Sequence, residues 1–171
     1  MSYASVFRPD LFAGQVAVVT GGGSGIGRCI AHELAALGAT VVVSGRKEER
    51  LLLVKAEILA SGGKADAIVC NMRDEQQVDA LMKETVARHG RLDHLVNNAG
   101  GQFLAPPDAI SLKGWNAVIE TNLTGAFLAC KSAKAAWMGA HGGAIVCIVA
   151  DFWNGMPLMA HTSAARAGVA N

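Results

Sequence analysis

The chain has 171 residues, enough to bury one core and too few for two domains of ordinary size, so residues 1–171 are expected to form a single unit. Hydrophobic residues make up 51%, charged residues 17% and the net charge is +1, which excludes a disordered chain and a polyanion-binding surface. Nucleic acid is therefore not an expected partner.

The first 14 residues contain Arg8, Pro9 and Asp10 and lack the continuous apolar run of a signal peptide. No later segment reaches roughly 18 uncharged apolar residues, so a cytoplasmic protein without a membrane span is expected. The cysteines Cys29, Cys70, Cys130 and Cys147 are scattered through apolar or helical contexts, which reads as four reduced core residues and no metal site.

In chain order, the β-branched run 15–20 ending in glycines predicts a strand buried on both faces. Ile26, Ile30, Leu34 and Leu37 recur at near-helical spacing and predict a helix over 25–37, with Gly38 at its left-handed end. A second strand is predicted over 40–44, a helix over 47–60 and a third strand over 65–70. Asp74 caps a helix to His89-Gly90, a fourth strand spans 92–96, and Ser111 caps a long helix to about Met138. Residues 144–150 read as a fifth strand, and a last helix begins near His161-Thr162-Ser163. Strands alternating with helices demand right-handed crossovers and a parallel sheet covered on both faces, an α/β, doubly wound, Rossmann-type fold.

The segment Thr20-Gly21-Gly22-Gly23-Ser24-Gly25-Ile26-Gly27 lies where such a fold binds a nucleotide pyrophosphate. Side chains at Gly21, Gly25 or Gly27 would obstruct the turn, the phosphate approach or the helix packing, and Gly23, Ser24 and Ile26 complete the motif. About 20 residues on, an acidic side chain would bind a ribose 2′-hydroxyl. Ser44-Gly45-Arg46-Lys47 stands there instead, and a guanidinium pairs with a phosphate in bidentate fashion. Arg46 thus favours NADP(H), the competing reading being that Arg46 and Lys47 only solvate a helix start.

With that turn, Asn97-Asn98-Ala99-Gly100 after strand 4 and Asn122 in Glu120-Thr121-Asn122-Leu123-Thr124-Gly125, the chain resembles the short-chain dehydrogenase/reductase family. Gly101-Gln102-Phe103-Leu104 and the segment 161–169 are most similar to its trans-2-enoyl-CoA reductases and, less closely, its dienoyl-CoA reductases. The resemblance implies that Asn71 and Met72 border the adenine, and that Asn97, Asn98, Ala99 and Gly100 line the ribose side. It also implies that Asn122 holds a helix kink and a proton relay, and that the long helix carrying Trp115 and Trp137 builds a tetramer contact.

The family's usual serine, tyrosine and lysine are missing. Val149 or Ala150 stands at the serine, Thr162 at the tyrosine and Arg166 at the lysine, and the sole tyrosine is Tyr3. A threonine hydroxyl is far too weak an acid for carbonyl reduction, and arginine does not deprotonate. Reduction of an enoyl thioester is less demanding, because the enolate chiefly needs electrostatic stabilisation. The expected roles are then Thr162 or Ser163 donating to the thioester carbonyl, His161 or Asp151 relaying a proton and Arg166 fixing the nicotinamide ribose. Their plainer readings are helix caps for Thr162 and Ser163, a loop cap for Asp151 and a solvated loop residue for His161.

Phe152, Trp153, Met156, Leu158 and Met159 form an apolar loop suited to an acyl-chain lid, to core packing or to a subunit contact. Family members usually continue for further strands, so a sheet with one bare edge, an incomplete C-terminal part and poor solubility of this chain alone are expected. The expected function is an NADP(H)-dependent reductase of an enoyl-CoA-like acyl substrate. Its alternative is a non-catalytic NADP(H)-binding or scaffold protein.

Overall fold

The computed structural model describes residues 6–151 and 153–171; Tyr3 and Phe152 lie outside the described residues. Five parallel strands, β1 (Val16–Thr20), β2 (Thr40–Gly45), β3 (Lys64–Val69), β4 (His94–Asn97) and β5 (Ala144–Cys147), form one sheet in the order β3-β2-β1-β4-β5. The order reverses between β1 and β4, which places a crevice beyond the carboxyl ends of those two strands.

Alternation along the strands divides the core into two layers. Val16 and Val18 of β1 face one way with Val42 and Leu95, against Leu81 and Met82 of α3 (Glu75–His89) and Leu128 and Ala129 of α5 (Gly125–Ala133). Val19, Val41 and Val43 face the other way, against Ala31 and Ala35 of α1 (Gly25–Ala36) and Leu51, Val54 and Ile58 of α2 (Glu48–Ala60). Strand β1 is buried along its whole length, as its unbroken apolar run requires.

Three predicted helix ends are built as expected. Asp74 accepts from Gln76 N (3.0 Å) and Gln77 N (3.1 Å), and Ser111 accepts from Gly114 N (3.1 Å). Gly90 closes α3 in the left-handed region at φ 77°.

The buried face of α1 differs from expectation. Gly27, Ala31 and Ala35 are buried, whereas Ile26 is 64% exposed, and Ile30 and Leu34 only flank the core. Small residues win that face because the helix approaches the strand turn too closely for branched side chains. Cys29 lies on the outer side and is exposed, so it is not the core residue expected from sequence.

After a 3₁₀ turn (Pro107–Ala109), the long helix runs through α4 (Leu112–Ile119), α5 and α6 (Gly139–His141), with π-helical stretches at Glu120–Thr124 and Lys134–Met138. Backbone angles stay right-handed helical at every junction, so this is one helix with two widened turns, ending at Gly142 with φ 77°. Strand β5 is shorter than predicted and half open: Ile145 and Val146 are 40% and 52% exposed. The last helix, α7 (Ala160–Ala170), begins one residue before His161. Among the described residues, no helix is long and apolar enough to cross a membrane.

Candidate cofactor and active site

The switch-point crevice is lined by Gly21, Gly23 and Ser24 of the glycine turn, Arg46 and Lys47 beyond β2, Asn71 and Met72 beyond β3, and Ala99 and Gly100 beyond β4. All of these but Lys47 were expected to bind the cofactor, and they converge from four separate strand ends. Gly45, Arg50, Leu51, Cys70 and Thr121 also line the crevice and were not foreseen, since nothing local distinguishes them from ordinary helix, strand or loop residues.

Ser24 precedes α1 in extended conformation and its side chain makes no capping bond, and no acidic residue occupies the first turn. The first amides of a helix have no partner within it, so this end presents free donors and the positive end of the helix dipole to an anion. A Cβ at Gly27 would collide with the Gly21 carbonyl oxygen and Asn98 Nδ2, which is the close packing its place in the motif demands. At Gly25 a Cβ would meet no protein atom within 4 Å, and φ 53° by itself favours glycine there. Ile26 points to solvent and does not line the crevice.

Two asparagines of the Asn97-Asn98-Ala99-Gly100 segment serve differently from expectation. Asn98 turns its Nδ2 to Thr20 O (3.0 Å) and Gly21 O (3.4 Å), holding the glycine turn without lining the crevice. Asn97 is 5% exposed and directs its Nδ2 at Cys130 Sγ (3.3 Å) and Cys147 Sγ (3.5 Å), away from the ribose side. The buried hydroxyl of Thr20, which the sequence reading passed over, accepts from Asn98 N and Ala99 N (both 3.0 Å) and donates to Val96 O (3.2 Å). It fastens the ends of β1 and β4 at the switch point.

Asn122 sits in the first π-helical stretch, 1% exposed, with Nδ2 donating to Val118 O and Gly101 O (both 2.8 Å) and Oδ1 accepting from Gly101 N (3.3 Å). It therefore ties a widened helical turn to the loop that forms one wall of the crevice. The residue expected to hold a helix kink thus lies in a widened turn.

Arg166 extends from α7, with Nη1 donating to Ile148 O (2.9 Å), and a Cβ on Gly100 would collide with its Nη2. Burial pulls its pKa down, partly opposed by Cys147 nearby, yet a guanidinium remains protonated. The structure thus stations a permanent cation against Gly100.

Thr162 is fully enclosed and caps nothing, because α7 begins after Met159 with no side-chain cap. His161 is also fully buried, not solvated: its ring stands edge-on to Phe103 with centroids 4.5 Å apart, and Nδ1 accepts from Thr162 N (2.9 Å). Thr162 Oγ1, His161 Nε2 and Arg166 Nε are buried without a partner among the described residues, two on adjacent residues of α7 and the third about one turn further on. Asp151 is exposed and accepts from Trp153 N (3.1 Å), which is the loop-capping arrangement. Trp153 is 83% exposed and Leu158 48%, so those parts of the apolar loop are not core; Leu158 O accepts from Ala105 N (2.9 Å), joining this loop to the one after β4. Among the described residues, no group of three or more His, Cys, Asp or Glu is placed to hold a metal.

A doubly wound parallel sheet with a glycine-lined crevice at its switch point defines a dinucleotide-binding α/β protein. The short chain dehydrogenase family profile matches residues 15–171, and the chain belongs to that family. A probable 2,4-dienoyl-CoA reductase of Bacillus subtilis is 36% identical over 91% of this chain and 62% of its own length. The structure of a citronellol catabolism dehydrogenase from Pseudomonas aeruginosa PAO1 superposes with a TM-score of 0.94 at 50% identity, covering 98% of this chain and 69% of that one. A metagenomic short-chain oxidoreductase in complex with NADP superposes with a TM-score of 0.88 at 36% identity, covering 93% and 73%. The chain spans about three fifths of the length of the first curated relative it matches.

Proposed function

We propose that the protein is an NADP(H)-dependent reductase of an enoyl-thioester substrate. The observation that carries the cofactor half is the crevice itself, with an uncapped helix end on one side and Arg46, which has no ion-pair partner among the described residues, on the other. The amides opening α1 suit a pyrophosphate, Arg46 a 2′-phosphate, and Asn71 and Met72 an adenine edge. The complex of a relative with NADP supports this choice.

When bound, the reduced nicotinamide supplies the hydride. Arg166, anchored on Ile148 O, sets its charge beside Gly100, where it orients the ribose and favours negative charge developing on the substrate. Asn122 holds the backbone of that wall fixed through Gly101. The unpartnered Thr162 hydroxyl is the donor for a thioester carbonyl, and Asp151 and His161 are the titratable groups on either side of the apolar loop that can pass a proton. Among the described residues no phenol–lysine pair faces this wall, which disfavours carbonyl reduction and suits the less acid-dependent enoyl reaction. The relative named as a dienoyl-CoA reductase supports the same substrate class.

The test is NADPH oxidation with crotonyl-CoA against acetoacetyl-CoA. Crotonyl-CoA should be turned over at least about 10²-fold faster, the lower end of what a general acid contributes; the reverse preference overturns the reading. The enclosed Thr162 hydroxyl favours one rival, a non-catalytic NADP(H)-binding protein, which gains if cofactor binds and neither thioester reacts.

A further inference from the structure

Asn97 and Cys147 are paired in register on neighbouring parallel strands and so present their side chains to the same face of the sheet. On that face α5 packs, and its Cys130 reaches the same amide: one nitrogen, Asn97 Nδ2, lies 3.3 Å from Cys130 Sγ and 3.5 Å from Cys147 Sγ. Both thiols are half-buried, in no disulfide, and share the one amide nitrogen as a neighbour. Neither sulfur has the isolation of Cys29, alone on the outside of α1, or of Cys70, buried with its thiol pushed up to about 11.

We propose that Cys130 and Cys147 form a redox modification site, a dithiol that a hydroperoxide converts to an intramolecular disulfide. The Cys147 thiol gives up its proton as its sulfur attacks the peroxide; the O–O bond breaks, an S–O bond forms, and the departing oxygen takes up that proton and leaves as water or an alcohol. The Cys130 thiol then attacks that sulfenic sulfur and passes its proton to the departing hydroxide. The S–O bond breaks, the S–S bond forms and water leaves, so two thiols lose two electrons and the peroxide gains them.

The site is coupled to the crevice by position. Asn97 runs directly into Asn98, Ala99 and Gly100, and Cys147 directly precedes Ile148, whose carbonyl holds Arg166. Bringing the sulfurs to about 2 Å displaces the amide that now bridges them, and both anchors of the crevice wall move with it. This coupling rests on the NADP(H) reading, whereas formation of the disulfide does not.

The experiment exposes reduced protein to hydrogen peroxide, blocks remaining thiols by alkylation and maps peptides without reduction. A Cys130–Cys147 peptide should dominate in the wild type and vanish in Cys130→Ser and in Cys147→Ser. Linkage should weaken NADPH binding about tenfold, the size of one lost hydrogen bond, and a dithiol reductant should restore it. Alkylation of both residues while Cys29 is oxidised overturns the site, and full linkage with unchanged NADPH affinity overturns the coupling. A disulfide that forms in a protein with no NADPH affinity in either state leaves the site standing and refutes the cofactor reading.

Discussion

Replacing Asn122 by alanine removes three hydrogen bonds at one buried point. In the π-helical stretch the backbone amides reach back one residue further than in an α-helix, so Val118 O takes its donor from the Asn122 side chain, four residues on. Gly101 loses both an acceptor for its N–H and a donor for its carbonyl. The Gly101 N contact, at 3.3 Å, is the weakest of the three. At about 1 kcal/mol net for each of the two short bonds, and more where a carbonyl stays dry, the loss is about 2–4 kcal/mol. For a domain of this size that lowers Tm by roughly 5–15 °C. Calorimetry or urea unfolding with and without NADPH measures it, and affinity for the cofactor should fall together with stability because the Gly100–Gly101 wall is released. Asn122→Asp should be no better, since it sets a carboxylate oxygen against two carbonyls. A Tm within about 2 °C of wild type, less than one net hydrogen bond, would refute the reasoning.

Gly27→Ala drives a methyl group into the Gly21 carbonyl and the Asn98 amide; a stability loss of about 1–3 kcal/mol and weakened NADPH binding are expected from unfolding and titration. Asp66 offers a pH test. Burial alone would raise its pKa, but hydrogen bonds from Lys55 (2.9 Å), Arg88 (2.6 Å) and Ala67 N (2.8 Å) outweigh that and hold it well below 3.8. Its contribution is therefore complete above the unfolded value and lost as pH falls towards the folded one, so the Tm gap between wild type and Asp66→Asn should be constant above about pH 5 and close between about pH 4 and pH 2. A gap that widens on acidification contradicts this. Arg166→Ala removes the cation beside Gly100, and turnover of an enoyl thioester should fall at least about tenfold with Tm changed by only a few degrees.

The sheet was legible because its strands are apolar runs with nothing to confuse them, and because Asp74, Ser111 and Gly90 punctuate the helices by local chemistry. The crevice was legible through residues whose neighbours in sequence are also their neighbours at the site. What escaped depends on tertiary approach. Ile26 looks like a core position in the helical period, but the packing distance at Gly27 hands the face to Ala31 and Ala35. Asn97 and Asn98 look alike in sequence, yet strand alternation sends one to the α5 layer and leaves the other against Thr20. Tertiary packing also buries His161, whose place in α7 against Phe103 no local pattern announces.

Titration of the protein with NADPH and NADH, repeated for Arg46→Gln, bears most directly on the central claim. A charge-assisted contact to a 2′-phosphate is worth about 1.5–3 kcal/mol, so the substitution should weaken NADPH by roughly tenfold to a hundredfold and leave NADH nearly unchanged. Tighter binding of NADH than NADPH by the wild type, or equal losses for both on substitution, would contradict the account.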